Sequence, residues 1–437
     1  MNQNLNIMVI GGGAREHAII KKLKFSAKID EIIALPGNGG IARDVQCVDA
    51  DPFNISAVIN ECKKRKIDYV VVTPDDPLAL GMVDELSEAG IRSFGPVKAA
   101  AMLESSKIFA KNLMKKYNIP TAACEIFTES AVAVNYARQC FKSGKKAVVV
   151  KADGLALGKG VAVCGCVKEA EEAICNAMEK KVFGKSGERI IIEECLTGPE
   201  VSVLSFCDGR IVAPMISSMD HKRSLDGDLG PNTGGMGCIA PNPFYTPEIA
   251  EICARDIFSP TIKAIAKEAA PFKGCLYFGL MLTADGPKVI EYNCRFGDPE
   301  TQAVLPLLET DLFSIMTACT DGALSPDMVR FRAGASACVV AASQGYPGPY
   351  EKGFLIEGLE DAEAGGAVVY CAGVKQEEAG LASCGGRVLS VSATAPSLEG
   401  AVESAYSGIK KISFQNKYFR TDIGASALQV LKKSPAL

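Results

Sequence analysis

Short apolar runs alternate with helical patterns of apolar residues over the first hundred positions of the chain. Residues 69–72 are continuously apolar, which is typical of a strand that is buried on both faces. Alternation of strands and helices with short connections predicts a doubly wound parallel sheet, in which ligands bind beyond the carboxyl ends of the strands. The predicted strands are residues 5–10, 31–35, 68–73 and 91–94, and the first predicted helix is residues 14–24.

The pattern changes after position 104. A strand that ends at Lys151 and a strand at residues 161–164 enclose a glycine-rich turn, and a helix at 168–180 and a strand at 189–194 follow. The next region predicts strands, a long Gly/Pro loop and a helix before Pro260. The tail predicts three strands and a long helix. We therefore divide the chain into an α/β N-terminal domain, a two-part central domain and a mixed α/β C-terminal domain: residues 1–103, 104–329 (with a separate unit at 121–195) and 330–437.

The composition is that of a globular protein with a large core. Of the 437 residues, 48% are apolar and 22% are charged, and the formal net charge of −4 provides no basic field for a nucleic-acid backbone. The 17 cysteines are accompanied by only two histidines and show no zinc-finger spacing, so we expect reduced thiols. Without a signal-type segment or an apolar run of the roughly 20 residues that span a bilayer, we expect a cytoplasmic protein that binds neither membranes nor nucleic acid.

The first glycine-rich turn, residues 11–16, resembles a dinucleotide-binding fingerprint but departs from it in two places. Glu16 stands at the third glycine position, and the second strand runs into Leu35-Pro36-Gly37-Asn38 without the acidic residue that holds a ribose. A plain strand-to-helix turn and a phosphate or sugar site at the helix N-terminus are both compatible with the pattern. The departures speak against a nicotinamide dehydrogenase.

The second glycine-rich loop, residues 151–160, lies between two predicted strands. It is not a Walker motif, because three residues separate Gly154 from Gly158 and Gly160 stands where Ser or Thr is required. We predict a β-hairpin with a glycine-rich tip. Its glycines allow backbone N–H groups to approach phosphate oxygens, which Lys151 and Lys159 can neutralise. A solvated hairpin without a ligand is the alternative.

Two further stretches suggest binding surfaces. In residues 190–196, an apolar run is followed by two glutamates, and Glu200 comes shortly after this stretch. The pattern fits either a strand that reaches solvent or an adenine pocket beside a ribose-binding glutamate. Residues 230–237 contain four glycines and a proline, and they follow a cationic cluster at residues 220–223. A cationic cluster beside a loop that exposes its backbone predicts a site for an anionic substrate.

The strongest local signal is the segment 288–300. Residues 289–293 predict a strand that forms a hairpin with residues 277–283. Because residues two apart on a strand face the same way, Glu291 and Asn293 direct two oxygen ligands to one point, as in Mg²⁺ sites that include substrate phosphates. Arg295 continues this face and can hold a transferring phosphoryl group. A polar strand end at the surface is the alternative.

The hairpin at 151–160, the strand at 190–194 and the strand at 290–293 together resemble the ATP-grasp superfamily. Matching segments follow one another along essentially the whole chain, and residues 231–237 and 295–302 resemble the phosphoribosylamine–glycine ligase family in particular. Three positions depart from the family pattern: Asp75 replaces a usual Glu, Pro199 a commonly acidic residue and Thr421 a common Lys. The resemblance implies an N-terminal domain with a doubly wound sheet, an ATP-grasp domain with residues 121–195 as its lid, and a separate C-terminal domain.

The resemblance also implies a reaction and its residues. ATP, with Mg²⁺ or Mn²⁺, would drive the ligation of glycine to 5-phosphoribosylamine through a glycyl phosphate, in a monomer. The implied catalytic residues are Arg295, Lys151 and Asp220, and the implied metal ligands are Glu291 and Asn293. The implied nucleotide-binding residues are Lys107, Lys151, Gly158, Lys159, Gly160, Glu193, Cys195, Leu196 and Glu200. The implied substrate-binding residues are Gly13, Arg15, Asn38, Asp75, Lys222, Asn232, Gly234, Gly235, Gly297 and Asp298.

Two alternatives accompany this interpretation. Another ATP-grasp carboxylate–amine ligase is the nearest one. A non-catalytic nucleotide-binding module is more distant, because it would be expected to have lost Lys151, Glu291 or Asn293. For an enzyme of this class we expect the hairpin tip at residues 154–160 to close over bound ATP as a lid, which would keep water from a reactive acyl phosphate.

Overall fold

The computed structural model of the protein describes residues 4–156 and 160–433, so the predicted tip residues Gly158 and Lys159 lie outside the described residues. The N-terminal sheet has five parallel strands, and the doubly wound arrangement is confirmed. In spatial order its strands are Gln46–Cys47, Ile29–Pro36, Leu5–Gly11, Tyr69–Val72 and Arg92–Phe94. Its helices are Ala14–Leu23, Ile55–Lys64, Asp75–Leu80, Met82–Glu88 and Lys98–Ser105.

The sheet within residues 121–195, which we call the lid sheet after the role predicted for this unit, has four antiparallel strands. Two of these strands form the predicted hairpin, which is thus confirmed. Val148–Ala152 pairs with Val161–Cys164, with Lys151 opposite Val161. The other two strands are Cys124–Phe127 and Ile190–Glu194. The helices Ser130–Lys142 and Val167–Ile174 pack on one face of this sheet and bury Val148, Val150, Ile190 and Ile192. This small core holds the base of the hairpin in place.

The central sheet is also antiparallel, with the order Val212–Pro214, Glu200–Asp208, Lys273–Thr283 and Gly286–Asn293. It packs against the helix Lys107–Lys116 and against a helical stretch of Pro247–Cys253, the π-helical turn Ala254–Phe258 and Ser259–Glu268. The helix predicted before Pro260 is present as Pro247–Cys253, and the helical stretch continues past Pro260 to Glu268. Pro260 lies in the first turn of the last segment, directly after the π-helical turn, where a missing N–H is best tolerated.

The C-terminal sheet combines strands from two separate parts of the chain. Its strands Ala335–Ser343, Val368–Cys371, Arg387–Ala395 and Lys417–Tyr418 come from the predicted C-terminal domain, whereas Met219–Asp220 and Gly237–Ala240 come from the central region. The predicted boundary at 329/330 is therefore crossed by this sheet. Residues 221–236, which we call the substrate loop, connect the two inserted strands and contain the small hairpin Arg223–Leu225 with Leu229–Asn232.

The remaining elements complete the central and C-terminal parts. The helices Glu300–Val304 and Leu312–Asp321 follow the central sheet, and Leu359–Ala364, Leu398–Lys411 and Ala425–Lys433 accompany the C-terminal sheet with the hairpin Val374–Glu377 and Gly380–Ser383. Among the helices in residues 4–156 and 160–433, none has both the length and the apolar character needed to cross a bilayer.

Candidate active site

A cavity of about 670 Å³ lies between the lid sheet, the central sheet and the substrate loop. Its wall brings together residues that are far apart in the sequence. From the predicted set it contains Asp75, Lys107, Lys151, Gly160, Glu193, Cys195, Leu196, Glu200, Asp220, Lys222, Asn232, Gly234, Glu291, Asn293, Arg295, Gly297 and Asp298. Gly13, Arg15, Asn38 and Gly235 are not part of this wall.

Two buried lysines flank the Glu193 carboxylate on the lid side of the cavity. The distance from Lys151 Nζ to Glu193 Oε2 is 2.9 Å, and that from Lys111 Nζ to Glu193 Oε1 is 3.2 Å, with all three side chains 4% exposed. Lys151 also donates a hydrogen bond of 3.0 Å to the Ile290 carbonyl. Ile290 lies in the strand Gly286–Asn293, which we call the metal strand because it contains the predicted metal ligands. The Glu193 carboxylate, which the resemblance assigns to the nucleotide site, thus also contacts Lys151 and limits its movement.

Lys107 approaches the cavity from the start of the helix Lys107–Lys116. Its Nζ donates to the Gly154 carbonyl at 2.8 Å, and burial lowers the pKa of Lys107 although nearby Glu291 opposes this shift. Asp153, at the base of the hairpin, accepts hydrogen bonds from the Ser106 hydroxyl and the Ile108 N–H at 3.0 and 3.1 Å. These contacts tie the hairpin to the helix start, so Lys107 and Lys151 converge on one region.

Glu291 and Asn293 lie on one face of the last central strand, in the hairpin that the sequence predicted. Tyr277 is opposite Asn293, and Gly279 is opposite Glu291. Burial alone raises the pKa of Glu291, but Lys222, Lys151, Lys107 and Arg295 together bring it below the ordinary value. An ionised carboxylate beside an amide oxygen is a donor set that Mg²⁺ accepts together with phosphate oxygens. The residues present therefore fit the predicted cation.

Lys222 and Glu200, which were assigned to different ligands, form an ion pair. The distance from Lys222 Nζ to Glu200 Oε2 is 2.8 Å, and that to Glu291 Oε1 is 4.0 Å. Burial lowers the pKa of Lys222, but Glu200, Tyr277 and Glu291 raise it well above the ordinary value. Lys222 therefore stays charged, and it links Glu200, the predicted ribose ligand, to the metal strand.

His221 has a structural role in the substrate loop. Its ring contacts the Gly237 carbonyl through Nδ1 at 3.3 Å and accepts the Gly424 N–H through Nε2 at 3.1 Å. Burial lowers the pKa of His221, so the neutral ring is favoured. His221 belongs to the cationic cluster that was predicted at residues 220–223. In the structure it anchors the loop to the C-terminal domain and contributes no charge to the cavity.

Asp220 and Glu300 are two carboxyl groups in the cavity wall, of which Glu300 is buried and Asp220 is partly buried. Within residues 4–156 and 160–433, Asp220 Oδ1 has no hydrogen-bond partner. Burial and then the Glu300 carboxylate raise the pKa of Asp220 well above its ordinary value, and burial also raises the pKa of Glu300. The buried Oδ1 atom of Asp220 can therefore accept a hydrogen bond from a bound group.

Gly235 allows the substrate loop to close against Asp220. Its φ of +105° lies in the left-handed region, and a Cβ at this position would overlap Pro299 and lie 2.7 Å from Asp220 Oδ1. A side chain here would therefore push the loop away from the carboxyl pair. Although Gly235 is not in the cavity wall, it determines how closely that wall approaches Asp220.

Glu16 explains the departure of the first glycine turn from a dinucleotide fingerprint. Its Oε2 accepts the Gly13 N–H at 2.7 Å, and its Oε1 lies 2.6 Å from Arg15 Nε. A carboxylate of the protein itself thus occupies the helix N-terminus where a pyrophosphate would bind in a dinucleotide site. Arg15 Nη1 donates to the Phe296 carbonyl at 3.2 Å, which places Arg15 beside the segment that follows the metal strand.

Two other predicted substrate residues are engaged within the protein. Asn38 donates to the carbonyls of Gly12 and Cys371 and accepts the N–H groups of Gly40 and Ile41, so its amide organises its own loop. Asp298 Oδ1 accepts from Gln302, and its Oδ2 pairs with Arg387 at 2.9 Å. Their roles as substrate contacts stay predictions.

The motifs did not identify several charged residues of the site. Arg387 donates to the carbonyls of Gly234 and Asp298 at 2.6 and 2.9 Å and thereby joins the C-terminal sheet to the substrate loop. Glu104, Lys111 and Glu300 lie in the cavity wall. The available signal was the family resemblance, because Arg387 lies within a segment that matches the family pattern and Glu104 lies next to one. The partners of both residues are remote in the sequence.

Three family models match successive parts of the chain. The N domain of phosphoribosylglycinamide synthetase matches residues 5–104, its ATP-grasp (A) domain residues 105–301 and its C domain residues 336–426. The chain belongs to the phosphoribosylglycinamide synthetase family. The phosphoribosylglycinamide synthetase fold predicted from the motifs, with an N-terminal parallel sheet, an ATP-grasp fold and a C-terminal domain, is thus confirmed.

Relatives of the phosphoribosylglycinamide synthetase family match over nearly the whole chain. Phosphoribosylamine–glycine ligase of Clostridium acetobutylicum is 44% identical over 97% of this chain and 100% of its own length. The trifunctional purine biosynthetic protein adenosine-3 of Gallus gallus is 43% identical over 99% of this chain and 43% of its own length. In that protein the same region is one part of a longer polypeptide.

Solved structures support the same assignment. The crystal structure of phosphoribosylamine–glycine ligase from Thermotoga maritima is 32% identical, with a TM-score of 0.80 over 96% of this chain and 100% of that chain. The biotin carboxylase domain of 2-oxoglutarate carboxylase from Hydrogenobacter thermophilus, solved with MgADP, has a TM-score of 0.70 at 17% identity and covers 99% of this chain and 95% of that chain. The second likeness shows the shared fold alone.

Proposed function

We propose that the chain ligates glycine to 5-phosphoribosylamine with ATP, giving glycinamide ribonucleotide, ADP and phosphate, a step of de novo purine synthesis. The observation that carries this proposal is the convergence of Lys107, Lys151, Glu291, Asn293 and Arg295 on one cavity. Lysine cations face an ionised carboxylate and an amide oxygen there, as the transfer of a phosphoryl group from a nucleotide requires.

In the proposed reaction a glycine carboxylate oxygen attacks the γ-phosphorus of ATP, and ADP leaves. The amine nitrogen of phosphoribosylamine then attacks the acyl carbon of glycyl phosphate, phosphate leaves, and the nitrogen gives up one proton. Lys107 and Lys151 would hold the phosphates, and Arg295 would stabilise charge on the acyl phosphate. Glu291 and Asn293 would hold Mg²⁺ or Mn²⁺, which neutralises phosphate charge when bound.

The remaining roles are those that the resemblance to the family implies. We assign the adenine and ribose to the region of Glu193, Cys195, Leu196 and Glu200, and the phosphates also to the hairpin residues Gly158, Lys159 and Gly160. The predicted substrate contacts around Gly13, Arg15 and Asp75 lie at the carboxyl ends of the N-terminal strands, where doubly wound sheets bind their ligands. Asp220 is assigned to catalysis because its Oδ1 atom is buried in the cavity wall and has no hydrogen-bond partner within residues 4–156 and 160–433.

We further propose that the protein works as a cytoplasmic monomer on small-molecule substrates. Another ATP-grasp carboxylate–amine ligase is the alternative activity. ADP release, measured with and without glycine and phosphoribosylamine and with other amino acids in place of glycine, separates the two. Release that requires both substrates and prefers glycine supports the proposal, and equal release with another amino acid contradicts it.

ATP with Mg²⁺ is expected to raise the melting temperature of the protein, and NAD is not. The Gly13 N–H is already bound by Glu16, while the lysines of the lid side face the cavity. Ligand-linked stabilisation reaches about 2.7 kcal/mol at a hundredfold excess over the dissociation constant. Differential scanning fluorimetry with each nucleotide checks this, and a shift with NAD but none with ATP would reverse the assignment.

A further inference from the structure

Glu104 connects the N-terminal domain to the end of the metal strand. It lies in the last turn of the helix Lys98–Ser105, is 8% exposed and is part of the cavity wall. Its Oε2 accepts the Cys294 N–H at 2.6 Å, and its Oε1 lies 3.4 Å from Arg295 Nη2. One carboxylate therefore contacts both residues that follow Asn293.

The orientation of Arg295 depends on few contacts. Its Nη2 donates to Asn293 Oδ1 at 3.1 Å, its Nη1 donates to the Phe296 carbonyl at 3.2 Å, and its buried Nε has no partner within residues 4–156 and 160–433. Burial lowers the pKa of Arg295, but Glu104 and then Asp75 raise it above the ordinary value. Of the carboxylates around Arg295, Glu104 thus has the largest influence on the guanidinium.

A glutamine could make the same hydrogen bond to Cys294, because an amide oxygen accepts as a carboxylate does. The chain nevertheless has an acid at this buried position, 3.4 Å from Arg295 Nη2, and the guanidinium lowers the pKa of Glu104 against the effect of burial. The negative charge of Glu104 is therefore of use chiefly to the guanidinium it faces.

We propose that Glu104 is a positioning residue of the ligation reaction, which holds the Arg295 guanidinium beside Asn293 and keeps the end of the metal strand in register. This inference rests on the proposed function. Without the carboxylate, Arg295 would turn towards its other acidic neighbours, which include Asp75 and Asp298. A displacement of about 1 Å in a catalytic group can lower the rate about 100-fold.

Glu104→Gln tests the charge while keeping the acceptor for the Cys294 N–H. We expect kcat to fall on the order of 100-fold, with the KM for ATP changed by less than about threefold, because Arg295 acts on the transition state more than on nucleotide binding. Glu104→Asp keeps the charge on a shorter side chain and should restore part of kcat. Glu88→Gln, at the exposed end of the neighbouring helix Met82–Glu88, is the matched control and should match the wild type.

A double-mutant cycle shows whether Glu104 acts through Arg295. If it does, Glu104→Gln should have little further effect on kcat in an Arg295→Met background, whereas independent roles would give additive losses. Additive losses, a wild-type kcat in Glu104→Gln, or equal kcat in the Gln and Asp variants would each overturn the inference. If Glu104→Gln does not fold, the same cycle is run with Glu104→Asp: a loss of kcat that disappears in the Arg295→Met background supports the inference, and an additive loss or a wild-type kcat overturns it.

The experiment also separates this inference from the proposed function. A wild-type protein that releases no ADP with glycine and phosphoribosylamine would refute the proposed function, and the role of Glu104 would fall with it. An active wild type with an equally active Glu104→Gln variant would refute only the role of Glu104.

Discussion

Replacing Glu291 with Gln is expected to lower kcat at least about 100-fold while the protein still folds. The substitution keeps the shape of the side chain but removes the charge that the four surrounding cations hold in its ionised form. A neutral amide is a weaker ligand for Mg²⁺. It also leaves the positive charges of Lys222 and Lys107 with less negative charge to balance them. ADP release measured over a range of Mg²⁺ concentrations, with circular dichroism as a check of folding, tests this expectation.

The control for this variant lies in the same hairpin. Asp285, in the turn between the two strands, has a side chain that is 85% exposed, and its carboxylate lies 3.9 Å from Lys288 Nζ. Asp285→Asn should therefore have wild-type activity and wild-type dependence on Mg²⁺. Near-normal activity of Glu291→Gln at low Mg²⁺ would remove Glu291 from the metal site and leave the family assignment intact.

Replacing Lys151 with Met is expected to affect both activity and stability. The variant loses a cation that faces the phosphates, so kcat should fall at least about 100-fold. It also leaves the buried Glu193 carboxylate with Lys111 as its remaining lysine contact. Breaking a buried ion pair from one side typically costs about 3–5 kcal/mol, and we expect about 3 kcal/mol here because Lys111 stays. Urea unfolding and ADP release measure the two effects.

Lys146→Met is the matched control, because Lys146 is exposed and lies just before the strand that carries Lys151. It should change neither the free energy of unfolding nor kcat appreciably. If Lys151→Met bound ATP as the wild type does, Lys151 would have no part in holding the phosphates. If its stability were unchanged, Lys111 alone would be sufficient to balance Glu193.

The site was partly visible in the sequence because some of its chemistry is local. The alternation of residues along 289–293 placed Glu291 and Asn293 on one face, and the pairing of that strand with Lys273–Thr283 is as predicted. The glycine-rich turn after Lys151 predicted a hairpin, which the antiparallel pairing confirms. The first prediction depends on the period-2 geometry of a strand and the second on a turn. Strand periodicity and turns are each encoded within about ten neighbouring residues.

The contacts between charged groups were not visible in the sequence. Glu104 and Cys294 are 190 positions apart, and Arg387 and Asp298 belong to different predicted domains. The ion pairs of Glu193 with Lys151 and of Glu200 with Lys222 were likewise not predicted, although the resemblance named all four as ligand contacts. A sequence motif records which residue types occur, but which ones meet depends on how whole elements pack.

The amino-acid sequence by itself thus determined the order of the strands and helices, the three-part family architecture and the class of chemistry. The tertiary structure decided which sheet completes which domain, as the insertion of Met219–Asp220 and Gly237–Ala240 into the C-terminal sheet shows. It also decided which lysines and carboxylates pair in the cavity. The physical reason is that periodicity and turn residues act between near neighbours, whereas pairing between remote strands and burial of charge arise only when the separate sheets come together.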